Sequence, residues 1–174
     1  MTTDRERFRA IISEFHTALL VTHAANEYAD LPPRSTTSGP LSARPMAISR
    51  IDPNCDLWFM TGVDTSVIHE IAVEPRVQVV AQQGDSKFIA VSGSARVLHD
   101  PAKVRELWKE PYKVWFPDGP QDPTIRLIHV AAQTGEFWDV QGKNRLTYLF
   151  ETAKAYVTGT KAPQDPEQHD KIQL

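Results

Sequence analysis

The chain has 174 residues, a formal net charge of −3 and a pI near 6.1. That length suits one domain with its own core, and the mild acidity creates no overall field that favours nucleic acid or an anionic membrane surface. Hydrophobic residues at 41% and charged residues at 24% are an ordinary globular balance, no apolar run reaches the length of a membrane span, and a lone cysteine, Cys55, excludes an intramolecular disulfide.

The expected setting is therefore a reducing cytoplasm, and the first fifteen residues mix charge with apolar residues, unlike the apolar block of a signal peptide. Phe8, Ile11, Ile12 and Phe15 recur at helical spacing and predict a one-sided helix over 4–16. Residues 17–23, TALLVTH, read as a strand. Residues 24–43 are rich in Pro, Ser, Thr and Ala and read as a long loop. Residues 44–51 and 57–62 read as a hairpin turned by Asp52, Pro53 and Asn54. Val67, Ile68, Ile71 and Ala72 predict a helix over 65–74, stopped by Pro75.

Residues 76–83 and 87–99 read as paired strands about a Gly84-Asp85-Ser86 turn. Gly93 inside the second of them points to a bulge or a close backbone approach. Pro101 opens a helix over 101–110, and four prolines make 111–123 an irregular loop. Residues 125–140 contain two strand-like pieces about Gln133-Thr134-Gly135, and 144–157 read as a final helix. The polar tail, 159–174, is expected to be flexible, which leaves one domain over 1–158. Strands that come in hairpin pairs, about six of them, favour a β-barrel with helical additions over a doubly wound α/β sheet.

Arg44 is the leading candidate for a binding role, because a guanidinium offers a bidentate fork to phosphate. Thr65 and Ser66 stand at a helix start, where free N–H groups and hydroxyls attract anions. Ordinary capping explains the same pair, and Asp64 beside them opposes an anion. Trp58, Phe59 and Met60 suit the wall of a site for a planar ligand, or equally the filling of a barrel; alternation forbids all three from sharing a face. The six histidines show no metal-ligand spacing, and neither a dinucleotide fingerprint, a Walker loop nor a nucleophile elbow is present. Cys55 beside Asp56 is a poor catalytic thiol.

Four segments taken in order carry a family resemblance: Arg44-Pro45-Met46, Leu57-Trp58-Phe59-Met60-Thr61, Trp115-Phe116-Pro117 and Glu136-Phe137-Trp138, with Val91-Ser92-Gly93 between them. Together they resemble the general stress proteins of the pyridoxamine-5′-phosphate-oxidase-like group, over about residues 5–160. The resemblance implies a mainly β (α+β) fold, a six-stranded antiparallel split β-barrel with flanking helices. It also implies a homodimer with two flavin sites at its interface and FMN as cofactor, with FAD or a deazaflavin as alternatives. By that resemblance Arg44 would bind the FMN phosphate, with Thr65 and Ser66 completing the pocket. Met46 and Ala47 would lie along the isoalloxazine, and Phe59, Met60 and Thr61 would line it from the neighbouring strand. Trp115 would stand near the flavin, and Trp138 would come from the partner subunit.

The chain departs from the family pattern in two places. Val67 stands where the family usually has a lysine, which removes one counter-charge from the phosphate and should weaken FMN binding unless Arg50 or Lys87 substitutes. After Arg145, Thr147 and Leu149 stand where the true oxidases carry a histidine and a second arginine, which argues against pyridoxamine phosphate oxidation. The implied function is a flavin-dependent oxidoreductase of unknown substrate with a stress role, with a non-catalytic flavin or small-ligand sensor as the alternative. No nucleic acid or membrane partner is expected.

Overall fold

In the computed structural model the described residues are 4–24, 40–84, 87–139 and 169–174. Helix α1, Asp4–Ile12, leads into strand β1, Thr17–His23. Then come β2, Leu41–Ala47, β3, Arg50–Ile51, and β4, Leu57–Gly62, followed by helix α2, Ser66–Val73. Strands β5, Arg76–Gln83, and β6, Lys87–Leu98, precede helix α3, Pro101–Leu107, and two short 3-10 turns, Glu110–Val114 and Gly119–Gln121. The long strand β7, Ile125–Asp139, and the short β8, His169–Gln173, complete the order. The strands form one antiparallel sheet in the order β2-β1-β5-β6-β7-β4-β3, with β8 added to β7.

The sheet curls until β2 and β4 lie close together, giving the split-barrel architecture expected from the sequence, with eight strands among the described residues where six were anticipated. The chain crosses the split at Ile48 and Ser49. The Ile48 N–H donates to the His16 carbonyl at 2.9 Å, and the Ser49 N–H donates to the Trp58 carbonyl at 2.8 Å. The expected hairpin of 44–51 with 57–62 is thereby corrected. Only Arg50 and Ile51 pair with β4, whereas Leu41–Ala47 pair with β1, Arg44 lying opposite Leu20. Pro45 has no N–H to give a second neighbour, so its strand belongs at a sheet edge, and β2 is that edge. The strand also begins at Leu41, inside the segment read as a loop.

Three further expectations change. The two pieces within 125–140 are one continuous strand, because β6 pairs with it along its length while β4 and β8 take its two halves on the other side. The helix expected over 101–110 ends at Leu107, and the two 3-10 turns, the first starting at Glu110, give order to the loop expected over 111–123. The tail is not wholly without structure: β8 pairs with β7, and Ile172, opposite Gly135, is buried against the core. The final helix expected over 144–157, with Arg145, Thr147 and Leu149, lies outside the described residues, as does the loop over 25–39.

Two apolar clusters organise the interior. Phe8 and Ile12 of α1 plug the main one, with Leu20, Leu57, Phe59, Val91 and Ile128. Phe8 sits over Gly135, where a Cβ would come within 2.5 Å of its ring. The second joins Trp58 and Leu127 to Val104, Leu107, Tyr112 and Phe116, and so ties α3 and the first 3-10 turn to the sheet. Asp100 fixes the start of α3 by accepting from the Ala102 and Lys103 N–H groups at 3.0 and 2.9 Å. Gly93 behaves as its position predicted: the β6–β7 register shifts between Ser92 and Gly93, and a Cβ there would lie 2.2 Å from the Ala131 carbonyl oxygen.

Candidate functional site

Where the two clusters meet, the split leaves a cleft of about 390 Å³, within the range of pockets that hold small organic ligands. Edge strand β2 supplies one wall with Pro45, Met46 and Ala47. Met60, Thr61 and Gly62 at the end of β4, with Thr65, supply the second. Tyr112, Trp115 and Phe116 of the 3-10 segment close the third. Met46 packs on the first apolar cluster, and Ala47 and Met60 on the second, so the cleft is held from both sides.

The cleft is apolar along most of its length and polar at one end. There Thr61 Oγ1 and Thr65 Oγ1 lie 2.8 Å apart, and Thr65 Oγ1 donates to the Gly62 carbonyl at 2.8 Å. Thr65 is the N-cap of α2, but its hydroxyl makes no capping bond. The N–H groups of the first helical turn therefore receive nothing from it. Among the described residues Tyr112 is the one titratable side chain of the lining, and its hydroxyl donates to Ser49 Oγ at 3.0 Å in a buried setting.

Of the ten residues expected at a flavin, six line this cleft: Met46, Ala47, Met60, Thr61, Thr65 and Trp115. Trp115 is 65% exposed and stands at the mouth. Ser66 follows Thr65 at the exposed start of α2, outside the lining. Phe59 points into the main core and is fully buried, so of its two readings the barrel-filling one describes its position. Trp138 is not among the residues that line the cleft; it lies eleven strand positions beyond Leu127, the residue opposite Met60.

Arg44 is also outside the lining. Its Nη2 donates to Glu70 Oε2 at 2.6 Å and Oε1 at 2.9 Å, and to Ser42 Oγ at 2.8 Å. Its Nη1 donates to Thr22 Oγ1 at 3.0 Å. Thr22 in turn donates to Glu70. Glu70 is 2% exposed, and a buried carboxylate needs such a cation. Sequence reasoning missed Glu70, although the signal was present: it lies three residues after Val67 and one before Ile71, on the buried face of α2. Val67 is itself 1% exposed within the core. Tyr112, Phe116, Pro45 and Gly62 were also missed as site residues. The Trp115-Phe116 pair was legible as a motif, but the contribution of Tyr112 depends on the 3-10 turn.

The lining suits the ring portion of a flavin: two methionines and three aromatic side chains about a cleft of about 390 Å³. At the polar end the hydroxyls of Thr61 and Thr65 and the start of α2 suit an anionic group.

The chain matches the family described as pyridoxamine 5'-phosphate oxidase like over residues 3–164. It is 25% identical over 150 residues to protein bli-3 of Neurospora crassa, covering 79% of this chain and 70% of that protein. Among solved structures it resembles a putative general stress protein 26 from Jannaschia sp. CCS1, with a TM-score of 0.63, 20% identity and 96% of each chain covered. It also resembles the general stress FMN/FAD binding protein of Xanthomonas citri, with a TM-score of 0.59, 24% identity, and 80% of this chain and 89% of that one covered. No helix among the described residues is long and apolar enough to cross a membrane. With the split barrel, the cleft at its seam and a family match over nearly its whole length, this chain belongs to the pyridoxamine 5'-phosphate oxidase-like family, and several of its structural neighbours are described as general stress proteins.

Proposed function

We propose that this protein is a flavin-binding redox protein of the general stress type, with FMN as its cofactor and FAD as the alternative. The convergence of Met46, Ala47, Met60, Thr61, Thr65 and Trp115 on one cleft carries this reading. The similar Xanthomonas citri protein, described as FMN/FAD binding, supports it. The bound flavin would supply the electron or hydride chemistry.

The chain's own residues would bind, orient and shield. Met46 and Met60 grip an aromatic plane through apolar contact, and Tyr112, locked on Ser49, keeps the third wall rigid. Trp115 at the mouth limits water access from one side. Apart from Tyr112 the lining offers no acid or base among the described residues, so protons exchanged with a substrate would come from solvent or from the substrate itself.

The active unit in this reading is a homodimer. The outer face of the sheet carries Leu19 opposite Val80 and Val80 opposite Ala90, with Phe88 opposite Trp138 beside them, and Leu19 is 43% exposed. Burial of that row against a second copy would make this face the dimer interface, and the family resemblance would then assign Trp138 to the partner's cleft. Sedimentation of the purified protein at twice the monomer mass is the expected result.

The decisive measurement is a visible spectrum with an FMN titration. Flavin absorption bands on purification, or a rise in melting temperature with FMN, are expected. A colourless protein whose melting FMN leaves unchanged would sink the reading. The scarcity of titratable groups in the lining also favours a second reading, a non-catalytic flavin sensor. Anaerobic reduction of the bound flavin by NADH or NADPH separates the two.

A further inference from the structure

We infer that Met46 and Met60 are a paired oxidation site: peroxide converts their thioethers to sulfoxides in the unloaded protein and so closes the cleft to its cofactor. The inference rests on the flavin reading above. The sequence carries three methionines, and both of those after Met1 line this one cleft. They stand on different walls, Met46 on β2 and Met60 on β4. Neither is sealed in the core. Met46 is partly buried against the first apolar cluster and Met60 against the second, and each opens onto the cleft it lines. The sulfur of Cys55, by contrast, belongs to a fully buried residue. Oxidation of sulfur follows its access to the oxidant.

The step is a single oxygen transfer. An S–O bond forms at the thioether, the peroxide O–O bond breaks, sulfur gives up two electrons and hydrogen peroxide leaves as water. The product is a polar sulfoxide whose oxygen needs a hydrogen-bond donor. Among the described residues the lining has three side-chain hydroxyls, and all three are committed. Tyr112 donates to Ser49 Oγ at 3.0 Å. Thr65 Oγ1 donates to the Gly62 carbonyl at 2.8 Å, so Thr61 is the donor of the 2.8 Å bond between the two threonines. The sulfoxide oxygens are left to water, and an aromatic plane that displaced this water would strand them unpaired. The side chains that grip a planar ligand as thioethers therefore exclude it as sulfoxides. A flavin seated between these walls would shield both sulfurs, so oxidation falls on protein without its cofactor. Methionine sulfoxide reductases, one for each epimer, would restore the site.

The test exposes full-length protein, with saturating FMN and without flavin, to hydrogen peroxide. Peptide mass spectrometry reads the gain of oxygen at each methionine, and flavin fluorescence reads FMN affinity. Without flavin, Met46 and Met60 should each gain one oxygen and FMN affinity should fall by about tenfold or more; FMN should slow both oxidations severalfold. Treatment with the two reductases and a thiol should restore affinity as the oxygens are removed. Met46→Leu/Met60→Leu, a swap that conserves volume, is measured against its own untreated affinity and should lose less than about twofold on exposure. Methionines that stay unoxidised without FMN, while a free methionine peptide in the same tube is fully converted, overturn the inference. Unchanged affinity with both oxygens in place overturns it, as does an equal loss in the exposed leucine variant. A loss that persists after the reductases have removed both oxygens marks unfolding and overturns it too. All of these leave the flavin reading intact. Untreated wild-type protein that binds no FMN overturns the flavin reading and this inference with it.

Discussion

Arg44 Nη2 lies 2.6 Å from Glu70 Oε2 and 2.9 Å from Oε1, so the arginine that opens the family's most legible motif serves first as the counter-ion of a buried glutamate. Removing one member of a buried pair leaves the other uncompensated, a loss of about 3 kcal/mol or roughly 6–12 °C in Tm. Arg44→Ala should show that loss in a thermal melt. Arg44→Ala/Glu70→Gln should recover a clear part of it, because the buried charge is gone. A double variant no more stable than Arg44→Ala would mean that the pair is not coupled.

Gly93 has no room for a side chain, since the nearest atom to an added Cβ is a backbone oxygen at 2.2 Å, which no rotamer change can move. Gly93→Ala should cost about 3 kcal/mol or more by forcing β6 and β7 apart. Gly84→Ala is the control. Its φ is +57 with nothing within 4 Å, so only backbone strain of about 1 kcal/mol is expected. Urea midpoints of the two variants should differ in that order.

Cys55 is fully buried and sits at φ 71 in the turn before β4. Burial pushes its thiol above the ordinary value, outweighing the nearby Arg5 and Arg9. A raised thiol contributes stability that is present below the unfolded value near 9 and is lost as pH rises through the folded value. A disulfide reagent at pH 8 should label Cys55 slowly in native protein and at once in denaturant. Immediate labelling of native protein would mean that the turn is open.

The exposed pair of Glu74 and Arg76 offers an acid-side test. Arg76 Nη2 and Nε donate to the carboxylate at 2.6 and 2.9 Å, and these bonds hold Glu74 down to about 2. A depressed carboxylate contributes stability above its unfolded value, 4.5, and loses it as pH falls through the folded one. The gap in melting temperature between wild type and Glu74→Gln should be small at neutral pH, as for any exposed pair, and should vanish as the pH approaches 2.

Trp115 separates binding from folding. Because it is mostly exposed at the cleft mouth, Trp115→Ala should change stability by no more than about 0.5 kcal/mol. If the ring covers a bound flavin, FMN affinity should drop by roughly threefold to tenfold, the worth of one aromatic contact. Equal affinity in the variant would place the flavin elsewhere.

Local pattern made much of this protein legible. The apolar spacing of Phe8 and Ile12 gave α1, the spacing of Val67 and Ile71 gave α2, and Gly93 announced its close approach. The Met-Thr end of β4 and the Trp115 motif marked the cleft walls. These features depend on period, turn chemistry and short motifs, all of which are written within a few residues of each other. What the tertiary structure decided is pairing across distance. Only the sheet order shows that β2 joins β1 rather than β4, because the break at Ile48 and Ser49 follows from closing a barrel and not from any local preference. Only packing brings Glu70 against Arg44, residues 26 positions apart in the chain. A charged side chain's role depends on the field and partners around it, and those come from strands that meet only once the sheet has curled.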